Sequence, residues 1–254
     1  DFSTSELPAA PIPNGRDHFQ AITDTGANIL TAAQTAFPSG LWWIKDRANS
    51  NQNQLVDSVR GSTVAFECPG DPGNGGKEVN YIAPAGDSVA WCWNYNAANP
   101  TINGFEIIEW TGDEQSGRNV PHNLGDVPDL IITARRNTGV DQHRPVYHSA
   151  LGELQTLFLD LPGTPSTSAV YYSEAPTDTQ FTVGKATNIN ASGEQMISYL
   201  WTSVPGYSAF GKFTGVNDAD GVFVSLGFKP AFLLIKQTNA ARSWNIWDGT
   251  RNTV

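Results

Sequence analysis

Four stretches gather residue types that catalysis or metal binding would use, and each meets an obstacle. Gly86-Asp87-Ser88-Val89 resembles the nucleophile block of some esterases. A serine nucleophile needs a base within hydrogen-bond reach and donors for an oxyanion. In the second copy of the repeat described below, Met196 takes the place of Ser88, and no Asp-x-x-His element follows near the end of the chain. A turn leading into a strand is the default. His143 and His148 suggest a metal pair, but two histidines without cysteine or further ligands are a weak signal, and a polar residue satisfying a turn accounts for His148. Asn217-Asp218-Ala219-Asp220-Gly221 hints at a calcium loop. The helix–loop–helix version would need a carboxylate at Val216 and a glutamate at Gly227, so an Asp-Gly hairpin turn is expected instead. A glycosidase would hold two carboxylates across a sugar. Glu106 and Glu109 stand three apart on an expected strand and so face opposite sides, while Asp113 and Glu114 fall in a turn. No catalytic, cofactor-binding or metal-ligating residue is assigned, and neither an enzyme nor a cofactor is expected.

Two further sets recur. Trp43, Trp91, Trp93 and Trp201 stand at strand-inward or repeat-equivalent positions, where filling a core outweighs stacking on a sugar. Lys45, Arg135 and Lys236 recur with Asp57, His148 and Asp248, which predicts a structural polar pair at strand ends.

The elements that must position these residues come from a repeat of roughly 90–100 residues, the feature to settle before any fold assignment. An aromatic–Thr-Gly signal occurs as Phe19…Thr25-Gly26, Phe105…Thr111-Gly112 and Phe210…Thr214-Gly215. Each is followed by a proline and an apolar run that ends in a base: Pro38 to Lys45, Pro128 to Arg135, and Pro230 to Lys236. A second short run follows: Leu55 to Arg60, Val146 to Ser149, and Trp244 to Arg251. The first two units continue alike, Thr63–Phe66 matching Thr156–Leu159 and Val89–Trp93 matching Ile197–Trp201.

Each run is short, rich in β-branched and aromatic residues, and bounded by Gly, Pro, Asn or Asp, which is the signature of strands. Ala27 to Ala36 is the best candidate for a short helix, ending at Phe37-Pro38. The expected architecture is all-β: tandem β-sandwich repeats of jelly-roll or concanavalin-like type with few short helices. The expected divisions are an N-terminal extension (1–12), a first sandwich (13–104), a second (105–205) and a partial third unit (206–254). Superposing the first two should bring Pro38 onto Pro128 and Trp93 onto Trp201. The third lacks counterparts of residues 62–103, so open edges are expected there unless the natural chain continues or another part of the assembly completes the unit. Cys92 points away from Trp91 and Trp93, while Cys68 ends a strand before Pro69, so no bridge between the cysteines is expected.

Composition narrows the function. Hydrophobic residues are 39% and charged residues 16%, enough for a packed core. Fifteen Lys and Arg against 25 Asp and Glu give a net charge of −10, which argues against nucleic acid and against an anionic membrane surface. No apolar run approaches the ~20 residues of a spanning helix. The first eight residues lack the basic and apolar regions of a signal peptide.

The segments Gly40–Arg47, Leu55–Gly61, Ala83–Asn94, Pro145–Ser149 and Gly227–Lys236 resemble a repeat domain of tail-fibre-like structural proteins of marine bacteriophages, over nearly everything from Pro13 to Arg251. The resemblance implies a virion location and a non-enzymatic structural or adhesive role. It also implies partners among other copies of the chain, other virion proteins, or a host-surface glycan or receptor. It implies no catalytic residue. The alternative is an enzyme that degrades host-surface polysaccharide.

Overall fold

The computed structural model describes residues 11–49, 53–68, 77–136 and 142–251. Most of the expected N-terminal extension, residues 1–10, lies outside the described residues. Unit one supplies β1 (Phe19–Thr25), α1 (Ile29–Ala36), β2 (Gly40–Asp46), β3 (Asn53–Asp57), β4 (Gly61–Cys68), β5 (Glu78–Asn80) and β6 (Asp87–Asn94). These six strands form one sheet in the order β1-β6-β2-β3-β4-β5. Unit two supplies β7 (Phe105–Thr111), β8 (Arg118–Pro121), β9 (Leu130–Arg135), β10 (Pro145–His148), β11 (Gln155–Phe158), β12 (Ser166–Thr167), β13 (Gln180–Val183), α2 (Thr187–Asn190) and β14 (Gln195–Trp201). Its main sheet runs β7-β14-β9-β10-β11-β12, the same order of first, last, second, third, fourth and fifth strand. In both units an antiparallel meander is followed by a closing strand that returns beside its first member, as in a Greek key.

The registers make the repeat quantitative. Trp93 pairs with Leu41 and with Phe19, and Trp201 pairs with Leu130 and with Phe105. Trp91 pairs with Trp43, and Tyr199 with Ile132. Trp93 and Trp201 are therefore equivalent, as expected. Pro38 and Pro128 are not: they lie three and two residues before the equivalent Leu41 and Leu130. The offset moves the base as well. Lys45 pairs with Val89 on one face, whereas Arg135 pairs with Met196, one step further along and on the opposite face.

The all-β expectation holds, with two short α-helices among the described residues. The sandwich is assembled differently from one per unit. Each unit lays down one large sheet, and the two sheets pack face to face on a shared core. That core holds Leu41, Trp43 and Trp91 of the first sheet with Ile132, Tyr199 and Trp201 of the second. The reason lies in the strands, which are buried on both faces; Leu41-Trp42-Trp43-Ile44 is buried throughout. Inward residues meet the other sheet. Outward residues of the first sheet, such as Trp42, Ile44 and Cys92, pack under Ile29 and Ala33 of α1. The helix stops at Phe37, already extended at φ −135° and ψ 100°, because a residue before proline avoids the helical region. The outer face of the second sheet is covered by the β8–β13 pair, through Val120, Phe181 and Val183, and by Ile189 of α2.

Unit three forms β15 (Phe232–Ile235) and β16 (Asn245–Asp248), an antiparallel pair in which Phe232 faces Asp248. Leu41 faces Asp57 and Leu130 faces His148 in the same way, so β15 and β16 are the counterparts of β2 and β3, or β9 and β10. Phe232, Leu234, Trp244 and Ile246 pack against the shared core. The partial unit thus docks on its own chain and gives the core a third side.

The repeated glycine has a structural cause in the two complete units. A Cβ on Gly26 would lie 1.8 Å from the Pro84 carbonyl oxygen, and one on Gly112 would lie 2.1 Å from that of Ala191. In both units the segment leading into the closing strand presses its backbone against the end of the first strand, and only glycine admits that approach.

Candidate functional site

The most organised polar cluster is a turn that occurs twice. After β3, Asp57 Oδ1 accepts hydrogen bonds from the amides of Val59 (3.0 Å) and Arg60 (2.8 Å), and Oδ2 accepts from Arg60 Nε at 2.6 Å. Arg60 Nη2 donates back to the Leu55 carbonyl at 2.8 Å. After β16, Asp248 Oδ1 accepts from Thr250 (3.0 Å) and Arg251 (2.8 Å), Oδ2 accepts from Arg251 Nε, and Arg251 Nη2 donates to Ile246 at 2.8 Å. The aspartate caps the turn while the arginine clamps the strand behind it; both aspartates are buried, whereas Val59, Gly249 and Thr250 of the turns are exposed.

Each turn is read by an aromatic residue of another unit. Tyr199 of β14 donates its hydroxyl to Asp57 Oδ2 at 2.7 Å and accepts from Arg60 Nη2 at 3.1 Å. Trp91 of β6 donates Nε1–H to Asp248 Oδ2 at 2.9 Å, with the Arg251 guanidinium 4.8 Å from its ring. Trp91 and Tyr199 are repeat-equivalent, so unit one's turn is held by unit two and unit three's turn by unit one. In unit two the aspartate is replaced by His148 and the arginine by Leu151. His148 Nδ1 accepts from the Ala150 amide at 3.1 Å, and its ring lies 6.3 Å from that of Phe210.

Burial sets the electrostatics. The Asp57–Arg60 pair has no exposed side-chain surface. Burial by itself would lower the Arg60 pKa, but Tyr199, Asp57 and Glu78 raise it above its ordinary value. Burial drives the Tyr199 phenol far up, so it remains a donor. For Asp248, burial favours the neutral acid, yet the hydrogen bonds from Arg251, Trp91 and Thr250 outweigh it and hold the carboxyl below the usual value. Around Arg60 the pairing continues between sheets. Its Nη1 lies 3.7 Å from Glu78, Glu78 lies 3.3 Å from Arg136 Nε, and Arg136 pairs closely with Glu109. Arg60 also lies 3.8 Å over the Phe66 ring. The cluster runs from the buried Asp57–Arg60 pair to the part-exposed Arg136–Glu109 pair and ties the two sheets together.

The expected strand-end pair of Lys45 and Lys236 with these aspartates is corrected by the register. Each lysine lies four residues along from the partner of the aspartate, about 13 Å away down the strand. The aspartate's cation is instead the arginine three residues on. Arg135 pairs with Glu194 at 3.1 Å, and Lys236 donates to the Pro162 carbonyl.

The other candidates are scattered. Ser88 is buried, and its hydroxyl donates to the Gly86 carbonyl at 3.0 Å. A shallow depression of about 320 Å3 beside it is lined by Thr23, Asp24, Thr25, Arg47, Asp87 and Ser88. The histidines lie elsewhere. His18 packs on Tyr207, His122 contacts the Thr177 carbonyl, and His143 pairs with Asp160. His143 and His148 belong to no group of three or more metal-ligating side chains among the described residues. Glu106 is buried and accepts from the Asn123 amide at 2.7 Å, while Glu109 faces Arg136, so the two point apart as expected. Residues 217–221 form an exposed turn in which Asp218 accepts from Asp220 and Gly221, with no strands flanking it among the described residues. Trp43 and Trp91 are in the core, with Trp93 and Trp201 5.8 Å apart within it. Cys68 and Cys92 are free, buried on opposite faces of the first sheet, and burial pushes the Cys68 thiol up to about 11.

Arg60, Tyr199 and the Trp91–Asp248 bond were missed as functional contacts. The Asp-x-x-Arg spacing in Asp57–Arg60 and Asp248–Arg251 was a local signal for the turn. No local signal links residue 57 to residue 199.

No curated protein and no solved structure matches the chain. The family described as a domain of unknown function, DUF7483, matches residues 71–254, from the last two strands of unit one through unit three, and the protein belongs to that family.

Proposed function

We propose that the protein is a non-enzymatic structural component of a bacteriophage particle, a rigid segment of a tail fibre or similar surface appendage. Its partners are then other virion proteins, further copies of the chain, or a host-surface glycan or receptor. The observation that carries the structural half of this reading is the pair of buried aspartates that cap the two turns. Asp57 and Asp248 are each engaged by an aromatic residue more than a hundred positions away in another unit, so polar groups that could react are spent on locking units together. Resemblance of the repeat segments to marine phage structural proteins supports the location. The acidic surface suits a protein exposed to salt water and repels nucleic acid.

Immuno-electron microscopy of purified particles with antibodies against the chain tests the proposal, alongside a reducing-end assay on capsular and lipopolysaccharide glycans. Labelling along an appendage without sugar release is expected. Unlabelled particles, or release of reducing ends by the purified protein, would overturn it in favour of a depolymerase.

A further inference from the structure

Residues 203–210 join unit two to unit three, and two histidine rings hold them, one from each complete unit. His18 of unit one meets Tyr207 in a T-shaped contact with ring centroids 5.9 Å apart. His148, at the turn of unit two, meets Phe210 at 6.3 Å. The remaining two histidines contact Thr177 and Asp160 instead. The joining segment is itself a compact turn. The amides of Tyr207 and Ser208 donate to the Val204 carbonyl at 2.9 and 3.0 Å, and the Val204 amide points back at Ser208. No residue from 203 to 210 carries a charged side chain.

His148 also caps its own turn. Its Nδ1 accepts from the Ala150 amide at 3.1 Å, where Asp57 and Asp248 do the same work in units one and three. A carboxylate keeps this role at any pH above its own titration. An imidazole nitrogen accepts only while neutral, because protonation puts a hydrogen where the amide hydrogen already points.

The capped turn is joined to the segment through Asp129. The Ser149 hydroxyl donates to Asp129 Oδ1 at 2.6 Å, and the Ser149 amide donates to the Asp129 carbonyl at 2.8 Å. Asp129 Oδ2 accepts from the amide and hydroxyl of Ser203 at 2.9 and 2.7 Å. The Ser203 hydroxyl oxygen in turn accepts from the Phe210 amide at 3.4 Å. His148, Ser149, Asp129, Ser203 and Phe210 thus close a ring of contacts in which the cap and the segment hold each other.

We propose that residues 203–210 form an acid-released clasp, which lets go of units one and two when His18 and His148 gain protons, while β15 and β16 stay on the core. Protonation removes the Ala150 cap and sets an imidazolium against Tyr207 and another against Phe210. The segment offers neither a carboxylate. The facing charges lie in the histidines' own units: Asp17 beside His18, itself bonded to Asn14, and Asp129 beside His148, its oxygens taken by Ser149 and Ser203. These carboxylates favour the proton, but burial opposes it more strongly and holds both rings below 6.5. At these centroid distances cation–π attraction is at the limit of its reach. Opening returns the rings to water, where they take protons at their ordinary value. The closed form is therefore fully favoured above pH 6.5 and loses ground as pH falls below it. The change is a local opening and not global unfolding.

Amide exchange of the 254-residue chain at pH 7.5 and pH 5.0 tests the clasp, with rates expressed as protection factors so that the intrinsic effect of pH cancels. Protection at Tyr207, Ser208 and Phe210 should fall about fivefold or more at the lower pH, while residues 196–201 of β14 keep theirs. His148→Asn keeps a cap acceptor that does not titrate, and combined with His18→Asn it should remove the fall. In the unaltered chain the nuclear magnetic resonance signals of the His18 and His148 rings should titrate at the pH where the segment opens. Any of four results would overturn the clasp: protection that does not fall, an equal fall in β14, a fall that persists in the double variant, or ring titration at a different pH from opening.

Discussion

Arg60 shows how a single side chain couples two sheets. It clamps Asp57 in its own turn, reaches Tyr199 and approaches Glu78, with its guanidinium over Phe66. Arg60→Leu would leave the Asp57 carboxylate buried without its cation, and the expected loss is about 3–5 kcal/mol in urea unfolding. Replacing Asp57 and Arg60 together by leucine should cost less than Arg60→Leu alone; a double variant that is less stable than the single would contradict the pairing. The histidines add a pH dependence. His18, His122 and His148 are all held below the ordinary value of 6.5, first by burial, with nearby carboxylates opposing it. The folded chain therefore binds fewer protons than the unfolded chain in the window below pH 6.5. Their contribution is complete above that pH and is lost as pH falls through the lowered folded values. Urea midpoints should drop between pH 7.5 and pH 5.5, and His148→Asn should reduce the drop; equal drops in both proteins would exclude His148 as a contributor. At this scale the sequence was partly legible. The inward placement of Trp43, Trp91 and Trp93 follows from strand alternation, as does the separation of Glu106 from Glu109. The bonds from Tyr199 to Asp57 and from Trp91 to Asp248 were not legible, because they join faces of different sheets and periodicity describes one strand at a time.

At the scale of elements, the recurring Thr-Gly marks the place where two backbones nearly touch. Gly112→Ala should force the Ala191 carbonyl away and destabilise the chain by about 1–3 kcal/mol, whereas Gly215→Ala, with open space around it, should change stability by less than about 0.5 kcal/mol. Similar losses at the two positions in thermal or urea unfolding would show that glycine is there for another reason. The strands themselves were readable because turn residues bound short apolar runs, and the helix at Ile29–Ala36 was readable from its alanines and the proline that follows. The base at the end of the second strand misled. Lys45 and Arg135 look alike in sequence, but pairing with Val89 and Met196 puts them on opposite faces, a one-residue offset that only the neighbouring strand reveals. The outer layers differ for a similar reason. A helix covers one sheet and a strand pair with a short helix covers the other, each filling the space above a two-sided apolar sheet with whatever its loop sequence supplies. In unit three the corresponding outward residues, Leu233 and Trp247, are 38% and 44% exposed, so among the described residues that sheet has no such cover.

At the scale of the whole molecule, the repeat predicted repeated sandwiches, and the structure builds one body from repeated sheets. The difference could not be read from the chain, since an apolar face does not name its partner: the inward residues of unit one would suit a second sheet of the same unit as well as the sheet of unit two. What decides is that units one and two each form one large sheet among the described residues, so the inner face of each is covered by the other, and β15–β16 adds a third side through Phe232, Trp244 and the Trp91–Asp248 bond. The central claim is that these units form one cooperative structure rather than beads on a string. Differential scanning calorimetry of the 254-residue chain tests it most directly. The account predicts a single transition whose calorimetric and van 't Hoff enthalpies agree. Two resolved transitions, with residues 13–104 and 105–205 melting separately, would contradict it.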